Sequence, residues 1–458
     1  MANFFTDNDD IRFHFEHMDL RRVAEMTEDG YAHVREFDFA PESADDALDN
    51  YRRILNVVGS LAGNVIAPTA DETDRVGNRL SHDGTVTLAP GIADALQRLG
   101  RADLMGLTLP YRYGGLNGPQ LLYTMSIDIL SRADASLVNF FGLQGIGETL
   151  SAFGSDELKD RFLPDLAAGK KTAAMALTEP DAGSDLQAVR VVARQDERGG
   201  WRIGGVKRFI TNGSGDIVLV LARSEPDTVD GRGLSLFLVE RGPRVKVRRL
   251  EDKLGIHGSP TCELYFDDAP AWLVGERGRG LSTYVVSLMN GARMGIAAQS
   301  LGIAEAAYRV AREFAGRRSQ FGASIEAIPA VRELLVDMSV ELQAARSLTY
   351  FTSYCVDLEA GAARRTRTQG PGAEYADQFN EDARKYKKYA LMLIPMSKYF
   401  ASEMSVRVTN SAIAVLGGSG YMRDYAVERH FRDSRITTIY EGTTQIQVAG
   451  AVRPVLGG

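Results

Sequence analysis

Residues 217–222 read Ile217-Val218-Leu219-Val220-Leu221-Ala222, and residues 234–239 read Leu234-Ser235-Leu236-Phe237-Leu238-Val239. Before the second run stands Asp230-Gly231-Arg232-Gly233. Short apolar, β-rich runs closed off by Gly and Asp are the pattern of strands joined by turns. Val189 to Arg194, Val245 to Arg249 and Leu264 to Phe266 repeat it, and Asn212-Gly213-Ser214-Gly215 is a further turn. The segment from about 175 to 270 therefore predicts an antiparallel β domain.

On both sides the period lengthens to that of helices. Ile54, Val57, Val58, Leu61 and Val65 are expected on one helix face, in a helix that Pro68 ends. A loop at Gly114, Gly115 and Gly118 precedes a second helical pattern through Leu122, Met125, Ile129 and Leu130. Downstream, Ile303, Ala307, Val310 and Phe314 form one stripe, and Leu334, Met338, Leu342 and Ala345 another. Residues 360–380 have no periodicity and are expected to be an exposed loop, with helix resuming to about 412. The chain thus divides into an arm at 1–45 with one helix, a helical domain at 46–172, a β domain at 173–275 and a second helical domain at 276–458. This α+β order is not the alternation of a dinucleotide-binding sheet, and Gly417-Gly418-Ser419-Gly420 lacks both the spacing and the preceding strand of such a site.

At 458 residues the chain is too long for one core, and a net charge of −7 disfavours general nucleic-acid binding. Cys262 and Cys355 form no CxxC pair, and the six histidines have no zinc spacing, so no metal site is expected. The polar, acidic N-terminus has no signal core, and no run of 18 apolar residues occurs. The expectation is a soluble, cytoplasmic protein.

Five stretches carry candidate chemistry. Leu177-Thr178-Glu179-Pro180-Asp181-Ala182-Gly183-Ser184 is a turn able to present hydroxyls and backbone N–H groups to a flat ring, or simply a connection between domains. In Arg208-Phe209-Ile210-Thr211 an aromatic beside a threonine can stack on a ring, or fill a core. Arg317-Arg318-Ser319-Gln320-Phe321-Gly322 ends a helix, where arginines suit a pyrophosphate or the helix dipole. Leu416-Gly417-Gly418-Ser419-Gly420 allows close backbone approach, or breaks a helix. In Ile439-Tyr440-Glu441-Gly442-Thr443-Thr444-Gln445-Ile446-Gln447 a carboxylate stands between an aromatic and a glycine before a helix start.

In this order and spacing, with Lys253-Leu254-Gly255-Ile256-His257-Gly258 and Met289-Asn290-Gly291-Ala292-Arg293, the five stretches resemble the acyl-CoA dehydrogenase family over roughly residues 46 to 458. Details that include Asp10-Ile11-Arg12-Phe13 resemble the branch with larger bacterial members, although the chain stops 17 residues past Glu441, short of that branch's extra C-terminal domain. The resemblance implies an N-terminal helical domain, a middle antiparallel β-barrel-like domain and a C-terminal four-helix bundle. It implies FAD, with Met175, Leu177, Thr178, Ser184, Phe209, Thr211, Gly417, Gly418, Thr443 and Gln445 around it. Arg318, Gln320 and Phe321 would reach the FAD of a neighbouring subunit, in a homodimer or homotetramer. Ser184, Asn290, Arg293, Tyr440 and Gly442 match positions near the CoA thioester. Glu441 matches the base that removes the α-proton while the β-carbon passes a hydride to flavin N5, giving a 2-enoyl-CoA; electron-transferring flavoprotein would then accept the electrons. Some family members carry the base near Ala292, and alanine cannot serve. Ala414 stands where a glutamine is common, and Ile328-Pro329 departs from the usual polar pattern.

An α-proton is far less acidic than a carboxylic acid, so the enolate needs hydrogen bonds to the thioester oxygen, and the base gains from burial that raises its pKa. The same scaffold also admits an acyl-CoA oxidase that uses O2, a DNA-associated flavoprotein, or an acyl-CoA binder without redox chemistry.

Overall fold

The computed structural model describes residues 1–369 and 376–456. The chain forms two compact units that do not follow chain order: Glu72–Leu116 with Ser136–Ala292, and Met1–Asp71 with Asn117–Ala135 and Arg293–Gly458.

The first unit is built on seven strands: β1 (Ala173–Ala176), β2 (Val192–Gln195), β3 (Trp201–Thr211), β4 (Ile217–Arg223), β5 (Leu234–Glu240), β6 (Val245–Leu250) and β7 (Thr261–Val274). Pairing runs β4–β2–β3–β7–β5 and returns to β4, which closes the sheet into a barrel. The 14-residue β7 pairs with β6 along its first half and with β5 at its end. Most pairs are antiparallel; β1 runs parallel to β4. The unbroken apolar run of β4 follows from burial on both faces. Ile217, Leu219 and Leu221 pack on Phe162, Leu163 and Leu166 of the helix Asp156–Ala167, whereas Val218, Val220 and Ala222 join Phe237, Val239, Val247 and Phe266 in a second core. β1 and β3 are not among the runs expected from apolar pattern. β3 alternates Trp201, Ile203 and Ile210 with Arg and Lys and contains two glycines, so its apolar signal is diluted.

The second unit is helical: α1 (Asp9–His17), α2 (Leu20–Thr27), α3 (Ala44–Leu61), α4 (Gln120–Ala133), α5 (Val286–Arg317), α6 (Pro329–Gln369), α7 (Ala376–Leu416), α8 (Val427–Thr437) and α9 (Thr444–Leu456), with α5 entering it from Arg293. At about 1.5 Å per residue, α6 and α7 are each about 60 Å long, and they pack together. The arm expected to hold one helix holds two, capped by Asn8 and Asp19, and docks on this unit. Arg22 pairs with Asp382 at 2.8 Å, and Arg364 donates to the carbonyl of Thr27 at 3.1 Å. Arg346, 1% exposed, meets Asp128 at 2.8 Å and Glu305 at 2.9 Å and also reaches Asp10, tying α1, α4, α5 and α6 together.

Three expectations need correction. The exposed loop at 360–380 is helix up to Gln369 and again from Ala376; its middle, 370–375, lies outside the described residues. Its polar composition hid helices whose interior needs few apolar side chains. The buried face of α3 is Ala47, Tyr51, Leu55 and Val58, while Val57 is exposed. Pro68 does not end that path: a π turn (Ala62–Ile66) and a 3-10 turn (Ala67–Thr69) carry it into the helix Ala70–Val76, because a proline early in a new turn loses no intrahelical bond.

Candidate active site

Glu441 and Gly442 form the turn between α8 and α9. Their φ angles are 56° and 95°, both left-handed. For Glu441 this costs about 1–2 kcal/mol relative to an ordinary conformation, and such strain persists only where neighbours hold it. Glycine suits position 442 because of its φ, and an added Cβ would lie 2.6 Å from Gln447 Nε2 and displace that amide. That amide donates to the carbonyls of Glu441 at 3.0 Å and Gly442 at 2.9 Å. Arg293 Nε donates to the Glu441 carbonyl at 3.4 Å, and the fully buried Lys398 donates to the Gly442 carbonyl at 2.7 Å. The Thr444 N–H closes the turn on the Thr438 carbonyl at 3.1 Å, and the Thr444 hydroxyl donates to Glu403 at 2.5 Å. The Tyr440 hydroxyl donates to Gln299 Oε1.

Burial pushes the Glu441 carboxyl above the usual carboxylate range, while Arg293 and Lys398 pull it back. Burial lowers Lys398 to about 8 against the pull of Glu441, and it raises Tyr440. A carboxylate that gains affinity for protons in this way is a better base once ionised.

In the barrel unit, Glu179 and Lys207 staple the turn that follows β1 onto β3. Lys207 Nζ donates to Glu179 Oε1 at 2.8 Å and to the Leu177 carbonyl at 2.8 Å. The same carboxylate accepts from the N–H groups of Arg190 and Val191 at 2.8 and 3.0 Å. The Arg208 N–H donates to the Thr178 carbonyl at 3.0 Å, which brings the first two candidate stretches together. The next residue, Phe209, has φ 58°, at the register shift between Lys207 and Ile210, and is 52% exposed. Thr211 pairs with Thr261 at the strand end, Ser184 is exposed, and Met175 and Thr178 are half-buried. The Leu177 side chain is spent in the core beside Val189 and Leu219. Asn290 is half-buried near the start of α5.

Within the helical unit, Arg318 and the segment after the glycine turn share one hollow of about 430 Å³, lined by Val310, Glu313, Phe314, Arg317, Arg318 and Tyr425. Gln320 belongs to a hairpin, Ser319–Gln320 against Ala323–Ser324, turned by Phe321 and Gly322 at φ 53° and 83°. Phe321 at its tip is 96% exposed. Pro329 opens α6, so the departure from the usual polar pattern there coincides with a helix start. At Gly417 and Gly418 an added Cβ would meet open space, whereas at Gly420 it would strike the Ile413 carbonyl at 2.7 Å; only the first two are free for a ligand to approach. Thr443 is half-buried and Gln445 exposed at the start of α9.

In the barrel unit an exposed aromatic in a strained conformation offers a ring for a flat heterocycle to stack on, and in the helical unit a pair of uncovered glycines leaves backbone open to close approach; each feature by itself fits FAD. Lys207, Lys398 and Gln299 were absent from the residues singled out by sequence. The available signal was a lone lysine among small and apolar residues, Lys398 between Met396 and Ala401.

The chain matches three family descriptions in succession: acyl-CoA dehydrogenase, N-terminal domain, at residues 49–170; middle domain, at 174–269; and C-terminal domain, at 278–455. The chain belongs to the acyl-CoA dehydrogenase family of FAD-binding flavoprotein oxidoreductases, which dehydrogenate acyl-CoA thioesters. A Bacillus subtilis acyl-CoA dehydrogenase is 37% identical over 371 residues, 79% of this chain and 89% of that protein. The solved butyryl-CoA dehydrogenase of Megasphaera elsdenii is 31% identical, with TM-score 0.74 over 89% of this chain and 98% of that one. A chain in a structure described as the electron transferring flavoprotein of Acidaminococcus fermentans is 30% identical, with TM-score 0.76 over 90% of this chain and 98% of that one. Among the described residues no helix is long and apolar enough to cross a membrane.

Proposed function

We propose that this protein dehydrogenates an acyl-CoA at its α and β carbons, with Glu441 as the base. The observation that carries this reading is a carboxyl group set on a strained, left-handed turn that Arg293, Lys398 and Gln447 hold by its carbonyls. A strained acidic residue with a raised pKa, braced from three sides, has no evident structural purpose of its own. Glu441 takes the α-proton onto its carboxylate oxygen. Arg293 and Lys398 oppose the effect of burial and favour the ionised form of the carboxyl.

Bound FAD supplies the acceptor for the hydride that leaves the β-carbon. Phe209 would flank its ring system, with Thr178, Ser184, Thr211 and Met175 beside it and the main chain at Leu177 supporting the turn. Gly417, Gly418, Thr443 and Gln445 would meet its remaining length. Ser184, Asn290, Arg293, Tyr440 and Gly442 would line the path of the thioester.

The exposed Arg318, Gln320 and Phe321 at the hairpin point to a second copy of this chain, whose FAD they would touch, in a homodimer or homotetramer. The likeness to a chain from an electron transferring flavoprotein structure supports such a flavoprotein as electron acceptor.

The test is anaerobic bleaching of the yellow holoenzyme by a panel of acyl-CoAs. Glu441→Gln is expected to keep its FAD yet lose bleaching by about 10³-fold or more, within the range for removing a general base. Retention of most activity would refute the assignment. Rapid reoxidation of the reduced enzyme by air alone would replace the dehydrogenase reading with an oxidase.

A further inference from the structure

We propose that Lys398 is a positioning residue for the base: by holding the Gly442 carbonyl, its ammonium group keeps Glu441 in the left-handed turn from which it acts. This rests on the reading of Glu441 as base. Lys398 sits within α7, fully buried, an expensive place for an ammonium group. Its donor is 2.7 Å from the carbonyl of the residue that follows Glu441.

Closure of the turn alone does not call for a cation. Gln447 already supplies a neutral donor to both carbonyls, at 3.0 and 2.9 Å. What a lysine adds is charge. The groups around it are Glu441 itself, Arg293 from α5 and Glu403 from α7, with Asp433 of α8 acting on the neighbouring Tyr440. Burial drives the Glu441 carboxyl toward its protonated form, and Lys398 and Arg293 are the cations that oppose this. One side chain therefore fixes the geometry of the turn and restrains the proton affinity of the acid it presents.

Removing the positive charge should raise the proton affinity of Glu441, so the acid limb of the rate profile should move to higher pH. Four variants of the FAD-loaded enzyme separate the roles: Lys398→Met, Lys398→Arg, Gln447→Leu and Glu441→Gln. Hydrogen exchange over residues 438–447 needs no substrate. Lys398→Met should exchange there at least about tenfold faster than wild type, as expected when a local hydrogen bond is lost, and Lys398→Arg should restore protection.

The second readout is the bleaching rate against pH with whichever of butyryl-, octanoyl- and hexadecanoyl-CoA bleaches the wild type fastest. In Lys398→Met the acid limb should rise by about one pH unit, the scale of a lost neighbouring charge. Gln447→Leu should slow bleaching and leave the limb in place. Should Lys398→Met fail to accumulate, Lys398→Gln keeps a neutral donor and should still shift the limb. Wild-type exchange and an unmoved limb in Lys398→Met, with Glu441→Gln inactive, would overturn the proposal. An active Glu441→Gln would instead remove the base assignment on which it stands.

Discussion

Lys207 Nζ, on β3, lies 2.8 Å from Glu179 Oε1 in the turn that follows β1, with the lysine side chain 0% exposed. A buried pair of this kind contributes little relative to a well-packed apolar replacement, but breaking it is costly because one charge remains without its partner. Lys207→Met should destabilise the barrel unit by about 3 kcal/mol in urea unfolding, and Lys207→Met combined with Glu179→Gln by less than the single change. The pH dependence follows from burial, which lowers Lys207 to about 8. Between that value and the ordinary lysine range the unfolded chain binds more protons, so this group makes stability rise with pH there; below about 8 the contribution is withheld. The slope should be less steep in Lys207→Met than in the wild type.

The second prediction concerns the rate profile. Because burial raises the Glu441 carboxyl, proton abstraction should increase with pH through a value above the ordinary glutamate range, as the base loses its proton. Glu441→Asp keeps the charge but shortens the reach by one methylene. It should lower the bleaching rate by about 10²-fold with FAD content unchanged, the scale of a small misplacement of a catalytic group. A flat profile from pH 5 to 8 would show that another group limits the step.

Phe209 offers a test in which stability and cofactor binding move in opposite directions. Its ring is 52% exposed and its φ is 58°, so the residue costs backbone strain and returns little packing. Phe209→Gly should leave the apo protein as stable as the wild type, or up to about 1 kcal/mol more stable. If the ring flanks the flavin, the same variant should bind FAD more weakly, which fluorescence titration of the apo protein measures. Lower stability with unaltered FAD affinity would make Phe209 a packing residue.

Much of this molecule is visible in its sequence because the signals are local. The apolar run Ile217 to Ala222 survives as a strand, since burial on both faces demands apolar side chains at every position. The glycine after Glu441 marks a turn, since its φ of 95° favours a residue without a Cβ. The supports of the site were hidden for the opposite reason. Lys207 reaches Glu179 across 28 residues and Lys398 reaches Gly442 across 44, and a lone lysine carries no sign of the acceptor it will find. Polarity misled at 360–380, where arginines that the sequence assigns to a loop anchor α2 from helix α6: Arg364 to the Thr27 carbonyl and Arg365 to Glu25.

Arg346 shows how far such distant partners matter to the helical unit. Its guanidinium serves three carboxylates from three other helices, Asp10, Asp128 and Glu305, and Tyr350 donates to the same Asp128 at 2.8 Å. Arg346→Met should cost about 3–5 kcal/mol, because the acids lose their shared partner while still buried. Asp10→Asn, at the half-exposed edge of the cluster, should cost about 1 kcal/mol. The acid side gives an independent check. Arg346 and Arg309 hold Glu305 down to about 2 against burial. Its folded value lies below its unfolded one, so its contribution is complete above the ordinary glutamate range and is lost as pH falls toward 2. Urea midpoints measured from pH 6 down to 3 should fall steeply in the wild type and less steeply in Arg346→Met. Parallel curves would mean that Arg346 does not set the ionisation of Glu305 in the folded protein.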